Sequence, residues 1–216
     1  GIANMDLVST YMEQMLTGKS DFEVVDLSRN DPFFKEAMGI KQSPSASRLR
    51  QRFDEDAKAL IPLMDEANIE FLKSVDASVS PLWTGHIPLD MDVFPQDNGK
   101  TKKEGVSRTY KNNVDGNGPI AAYLCTEGWC VACELRPGSQ HSQSEFGFTL
   151  DRVLPRVRSL TSAPVLVRLD SAHDAMANRQ RFSAEEIDYL IKWNSRKQDP
   201  LDWYSLAEEQ QVDWHT

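Results

Sequence analysis

The sequence is poor in cysteine, deficient in positive charge and free of long apolar runs, and each shortage narrows what the chain can be. Three cysteines among 216 residues make an odd number that gives no disulfide framework and suits a reducing compartment, so a cytoplasmic location is expected. No apolar stretch approaches the roughly 20 residues needed to span a bilayer, and no secretory signal pattern opens the chain, so no membrane partner is expected. Lysine and arginine number 24 against 33 acids, a formal charge of −9. That balance argues against a generic nucleic-acid coat, whose usual footprint is a pI above about 9. Internal repeats and low-complexity tracts are missing as well. The chain opens on Gly1-Ile2-Ala3 and ends on Trp214-His215-Thr216 without a domain-closing signal, which reads as a fragment of a longer protein.

What remains is an ordinary globular mix, 40% hydrophobic and 26% charged, long enough for one domain or two small ones. Its positive charge is clustered: Lys100, Lys102, Lys103, Arg108 and Lys111 in one stretch, Arg152, Arg156 and Arg158 in another, Arg48, Arg50 and Arg52 in a third. Local basic patches on an acidic protein can contact phosphate, although a solvated face balancing nearby acids accounts for any one cluster equally well. Cys130 and Cys133 form a C-x-x-C. Strand alternation over residues 129–135 predicts that the two lie on opposite faces, so burial as small hydrophobes is expected in preference to a shared zinc ion.

Residues 1–80 read as helical. Asp31-Pro32 is an N-cap followed by proline at the first helical position, and Gly39 closes that short helix. Ser43-Pro44 repeats the start signal. Leu49, Phe53, Ala57, Leu60, Met64, Ala67, Phe71 and Val75 then recur at spacings of three and four, the mark of a long amphipathic helix. Pro62 is expected to kink or break it near residues 59–61, since an interior proline costs about 3 kcal/mol. Two helices joined by a tight turn, with Arg48 and Arg52 on one face of the second, fit either a helix-turn-helix that reads a DNA groove or a plain helical hairpin.

Over residues 81–216 the period changes. His86 to Phe94 alternates, with Ile87, Leu89, Met91 and Val93 on one face and Asp90 and Asp92 on the other. Asp97-Asn98-Gly99 is a turn, with Asp97 as its Asx residue. Residues 120–125 and 129–135 form a hairpin about Thr126-Glu127-Gly128, and a polar loop, 136–142, leads into a helix holding Phe148, Leu154 and Val157. The strand Val165 to Asp170 follows. A helix from Ser171 that ends before Phe182, a strand over 188–193 and a helix capped by Asp199 and running through Trp203 and Leu206 complete the chain. A hairpin meander followed by β-α-β crossovers predicts an α/β fold whose mixed sheet is covered by helices, the layout of an RNase-H-like core behind a helical region.

Aspartate is a poor strand former, so Asp90, Asp92 and Asp170 on strands suggest a site. In this layout the first strand and the strand after the first helix are parallel neighbours, and ligands collect at the carboxyl ends of such strands. Asp92 and Asp170 would meet there. Paired carboxylates repel unless a cation lies between them, which favours a hard divalent ion such as magnesium, with manganese as a substitute. Two such ions would assist in-line displacement at phosphorus. Asp90 shares the face of Asp92 and remains open as a ligand, with Asp92 favoured because it is nearer the strand end. Glu104, Glu134, His141, His173 and Asp174 are expected in surface roles. A glycosidase also uses paired acids, but no aromatic platform lies near either aspartate in sequence.

Several ordered blocks carry a family resemblance: Leu89-Asp90-Met91-Asp92-Val93-Phe94-Pro95-Gln96-Asp97-Asn98, residues 102–111, Glu134-Leu135-Arg136-Pro137-Gly138-Ser139-Gln140-His141, Val167-Arg168-Leu169-Asp170-Ser171, and, near the start, residues 31–37 and 44–55. Together they resemble the DDE transposases of bacterial insertion sequences, nearest to the insertion sequence thirteen-eighty group. The resemblance implies an RNase-H-like catalytic domain behind a DNA-binding region, acting with magnesium on the terminal inverted repeats of a transposon and on target DNA. It also implies a nucleoid-associated protein and admits a homodimer on DNA. Asp92 matches the family's first catalytic aspartate and Asp170 its second; the basic clusters offer Arg48, Arg52, Lys102, Lys103 and Arg108 as candidate DNA contacts. The third acid, a glutamate in a helical Tyr-Arg-Glu-Lys-like context, has no match: Glu185, Glu186, Glu208 and Glu209 lack that setting. Phe94 departs from the small hydroxyl residue common after the first aspartate. A catalytically dead DNA-binding or assembly protein on the same fold is the competing expectation.

Overall fold

The structure, a computed structural model, describes residues 1–205 except Ser20, Lys111, Asn112, Lys197, Pro200 and Trp203. The chain divides into two compact units, Gly1–Ala67 and Asn68–Thr216, so the division falls inside a helix and earlier than residue 80.

The first unit contains α1 (Asn4–Leu16), α2 (Val25–Ser28), α3 (Pro32–Ala37) and the first part of α4 (Ala46–Ser74). Asp31 caps α3 as expected: its Oδ1 accepts the Phe33 amide at 2.9 Å, and Pro32 stands at the first helical position. The cap of α4 is Ser45 rather than Ser43, its Oγ accepting the Arg48 amide at 3.2 Å. Leu7, Val25 and Leu49 form a small core, with Tyr11, Phe22 and Phe53 packed against it. The break expected at Pro62 does not occur, and α4 runs through it for 29 residues. Pro62 and Lys58 are both exposed, so the Lys58 carbonyl that loses its helical partner can bond to water instead.

The second unit is built on a five-stranded sheet in the order β6-β5-β1-β7-β8: β1 (Ile87–Val93), β5 (Ile120–Leu124), β6 (Trp129–Glu134), β7 (Val165–Leu169) and β8 (Asp188–Ile191). The β1–β5–β6 part is antiparallel and the β1–β7–β8 part parallel, the mixed RNase-H-like layout expected from the element order. Ile87, Leu89, Met91 and Val93 of β1 are all buried in the main core. They join Leu150, Val153, Leu154 and Val157 of α5 (Phe146–Leu160), Phe182 of α6 (Met176–Ala184), and Ile69 and Leu72 near the end of α4.

Three details depart from the sequence expectation. A second sheet, in the order β2-β4-β3, is made by β2 (Gln96–Asp97), β3 (Ser107–Arg108) and β4 (Asp115–Asn117). Strands of two or three residues are too short to show a period, and a Cβ on Gly116 would meet the Gln96 carbonyl oxygen at 1.8 Å, so only glycine fits there. On β6 the register shifts so that Ala122 pairs with Ala132 but Tyr123 with Cys130. That bulge adds a residue, and it places Cys130 and Cys133 on one face, both exposed, instead of buried on opposite faces. The helix expected from Ser171 is a 3-10 turn, Ser171–His173, and α6 begins only at Met176 and takes in the fully buried Phe182. Asp199 Oδ1 accepts the Leu201 amide at 3.0 Å, the expected capping contact, while Trp203 and Leu206 lie outside the described residues. Among the described residues no helix is long and apolar enough to cross a membrane.

Candidate active site

The β1–β7 register is Ile87↔Val165, Leu89↔Val167 and Asp90↔Arg168. β1 runs three residues and β7 one residue past that last pair, so Asp92, within β1, and Asp170, directly after β7, both lie at the carboxyl ends of adjacent parallel strands. Strand alternation does the rest: Met91 and Val93 are held in the core, so Asp92 projects from the opposite face and is exposed. Its Oδ1 accepts the Val93 amide at 2.7 Å. Asp170 ends β7 in an extended conformation and caps the 3-10 turn, its Oδ1 accepting the Ala172 amide at 3.1 Å.

The tight turn carries His173 back beneath Asp170. The imidazole is fully buried, with Nδ1 3.0 Å from Asp170 Oδ1, and its ring centre lies 4.3 Å from that of Phe146. Burial holds the imidazole below its ordinary pKa, against the opposing pull of Asp170 and then Asp92, while Arg136 adds to the depression. His173 therefore contacts Asp170 directly. The sequence reading placed His173 on the surface. Its signal was slight: a histidine three residues after a strand-end acid meets that acid when the chain makes a helical turn between them, here a 3-10 turn.

Arg136, almost completely buried, organises the neighbouring loop. It donates to Glu134 Oε1 at 3.0 Å, to the Ser142 and Ser144 carbonyls at 3.2 Å each and to Thr149 Oγ1 at 2.5 Å. Glu134 Oε2 in turn accepts from Thr149 at 3.0 Å and from Arg152 at 3.4 Å. Gln143, in the same loop, exchanges two side-chain hydrogen bonds with Asn178, at 3.0 and 2.7 Å, and Asn178 Nδ2 also donates to the His173 carbonyl at 2.8 Å.

Asp90, which the sequence left open as a ligand, is engaged elsewhere. Arg168 donates to both of its oxygens, at 2.6 and 2.5 Å, and the pairing raises the already high pKa of the guanidinium. Asp97 is the expected Asx residue, its Oδ1 accepting the Gly99 amide at 3.1 Å. His141 accepts the Gln143 amide at 3.1 Å, and buried Asp174 pairs with Arg179 and accepts the Asn194 amide at 2.9 Å. Among the described residues no group of three or more His, Cys, Asp or Glu is gathered closely enough to hold a metal ion. Asp92 and Asp170 supply hard oxygen donors of the kind a divalent cation takes, so the donor chemistry fits such an ion with two protein ligands.

The cationic candidates are dispersed. Lys102 and Lys103 are exposed between β2 and β3. Arg108 donates to Asn113 at 2.8 Å and pairs with Asp115 at 3.5 Å. In the first unit Arg48 reaches Gln51 at 3.5 Å, whereas Arg52 is held by Asn4 at 2.6 Å and Asp56 at 2.8 Å.

A family model described as Transposase DDE domain group 1 matches residues 3–201. No curated protein matches the sequence. Among solved structures, the Mos1 strand transfer complex aligns at 11% identity over 95% of this chain and 64% of that one, with a TM-score of 0.34. The Mos1 transposase paired-end complex with left transposon end aligns at 11% identity over 97% and 71%, with a TM-score of 0.34. A piggyBac transposase synaptic complex with hairpin DNA aligns at 11% over 94% and 45%, with a TM-score of 0.35. The chain spans 64% of the Mos1 chain in the first of these. At such scores the structural similarity carries no argument, and the family match stands by itself.

Proposed function

This chain belongs to the Transposase DDE domain group 1 family, and on that premise we propose that it is part of a DNA transposase of a bacterial insertion sequence, of the thirteen-eighty group. It hydrolyses phosphodiester bonds at the terminal inverted repeats and joins the ends to target DNA. Asp92 and Asp170 are the catalytic acids. The observation that carries the reading is their position at the carboxyl ends of the parallel pair β1 and β7, with Asp170 held by buried His173.

In this reading Asp92 and Asp170 hold magnesium, or manganese in its place, as a homodimer engages the DNA. Bound there, the cation supplies charge neutralisation at the scissile phosphate and a more acidic attacking hydroxyl. The chain's own residues do the rest. Two like charges on adjacent strand ends favour the entry of a cation. Arg168 keeps Asp90 neutralised beside them. Lys102, Lys103 and Arg108 take the phosphate backbone, and residues 1–80, with Arg48 and Arg52, form the DNA-binding region that precedes the catalytic residues 81–216. Nucleoid association would follow from the DNA contacts.

The test is end cleavage by the full-length protein with magnesium. Asp92→Asn and Asp170→Asn should each lower the rate by more than the roughly 10–100-fold that loss of an outer partner of a metal ligand costs. Cleavage that survives both changes ends the proposal. A second reading, a DNA-binding or assembly protein that keeps the fold without the chemistry, is favoured by the lack of a third acid beside Asp92 and Asp170 among the described residues. Specific binding of terminal repeats by a full-length protein that never cleaves them would select it.

A further inference from the structure

We propose that His173 is the positioning residue for Asp170, fixing through its Nδ1 which carboxylate oxygen is left for a cation. The inference rests on the reading of Asp170 as a cation ligand.

An aspartate at the end of a strand, with 42% of its side chain exposed, has little to hold its rotamer. Here both the Ala172 amide and the His173 ring bind the same oxygen, Oδ1, at 3.1 and 3.0 Å. Oδ1 is committed and Oδ2 is the oxygen that remains. Since a carboxylate only accepts, the neutral ring must carry its proton on Nδ1.

The ring is in turn immobilised. Phe146 packs on it, and Asn178 ties the His173 carbonyl to Gln143. Gln143 sits between Ser142 and Ser144, the two residues whose carbonyls Arg136 holds. A continuous run of hydrogen bonds and peptide links therefore connects buried Arg136 to Asp170.

A purely structural role explains this poorly. His173 Nε2 is buried and meets no partner among the described residues, and a buried polar atom without a partner costs stability. An apolar side chain would fill the same space at lower cost but could not hold Asp170. Partners that orient a metal ligand in this way typically change metal affinity by roughly 10–100-fold when removed.

The experiment uses the full-length protein and Mn2+ alone as the probe, followed by electron paramagnetic resonance, together with ring-nitrogen NMR of His173. The expected results are an Nδ1–H tautomer in the unaltered protein, Mn2+ binding weakened roughly 10–100-fold in His173→Leu, and recovery in His173→Asn, whose amide nitrogen can occupy the place of Nδ1. Should His173→Leu fail to fold, the ring tautomer and His173→Asn decide. An Nε2–H tautomer, or Asp170-dependent Mn2+ binding that His173→Leu leaves unchanged, overturns this inference alone. Mn2+ binding indifferent to Asp170→Asn overturns the ligand reading, and this inference with it.

Discussion

Asp90 and Arg168 face each other across the parallel β1–β7 pair and share two hydrogen bonds, at 2.6 and 2.5 Å. The pair lies two residues before Asp92 and Asp170, and it sets the two acids of one face of β1 in different surroundings. Asp90→Ala should therefore leave Mn2+ binding intact where Asp92→Ala abolishes it. Both partners are about two-fifths exposed, so its effect on stability should stay near the upper end of the range for exposed pairs, about 1 kcal/mol. Parallel titrations and urea melts check both halves of this expectation.

Arg136 is the opposite case, a buried cation with every contact made inside the protein. Arg136→Met leaves Glu134, Thr149 and the loop carbonyls short of a donor. The expected cost is about 3–5 kcal/mol, typical of breaking a buried charge pair, read as a fall in urea midpoint. The loop change should also loosen Asn178 from Gln143, visible in the exchange of their side-chain amides.

One surface contact should outlast the ordinary carboxylates as acid is added. Glu127, in the β5–β6 turn, has its pKa lowered from 4.5 to about 2, first by the Cys125 thiol and then by the Ser80 hydroxyl and amide. A carboxyl whose folded pKa is depressed stabilises fully above its ordinary value and loses that contribution as pH falls through the folded one. The Ser80 amide, 3.0 Å from Glu127 Oε2, should therefore keep its chemical shift at pH 5 and move only as pH approaches about 2. A shift centred at pH 4.5 would contradict the contact.

DNA binding offers a test within α4. Arg52 is engaged by Asn4 and Asp56, whereas among the described residues the Arg48 side chain has one long contact, to Gln51. Arg48→Ala should weaken terminal-repeat binding and lower the slope of log K against log salt by about 1, as should Lys102→Ala and Lys103→Ala. Arg52→Ala should act more on the melting temperature than on that slope. Fluorescence anisotropy over a salt series reads both.

The sequence showed the long-range order well and the short-range exceptions badly. The alternation of Ile87, Leu89, Met91 and Val93 against Asp90 and Asp92 was enough to orient β1, because burial of one face specifies register strongly. The caps at Asp31 and Asp199 were legible because capping depends on one side chain and the next few amides. Missed features depended on tertiary choices. The 3-10 turn that delivers His173, the bulge in β6 and the three short strands leave no periodic trace, and Pro62 was overruled by the length of helix on either side of it. The partner of Asp90 was missed for a similar reason: Arg168 is far away in sequence, and only the strand register brings them together.

The bulge in β6 makes the sheet into a ruler. Cys133 pairs with Ala121, which pairs with Asp92, and Cys130 pairs with Tyr123, which pairs with Asp90. Each thiol therefore sits two strands along the same row from one acid, a separation of roughly 10 Å at the usual strand spacing. A fluorophore on Cys133 would lie close enough to be quenched by a paramagnetic ion arriving at Asp92, without touching the acid itself. One inserted residue thus gives the protein native attachment points from which ion binding at the proposed site can be watched.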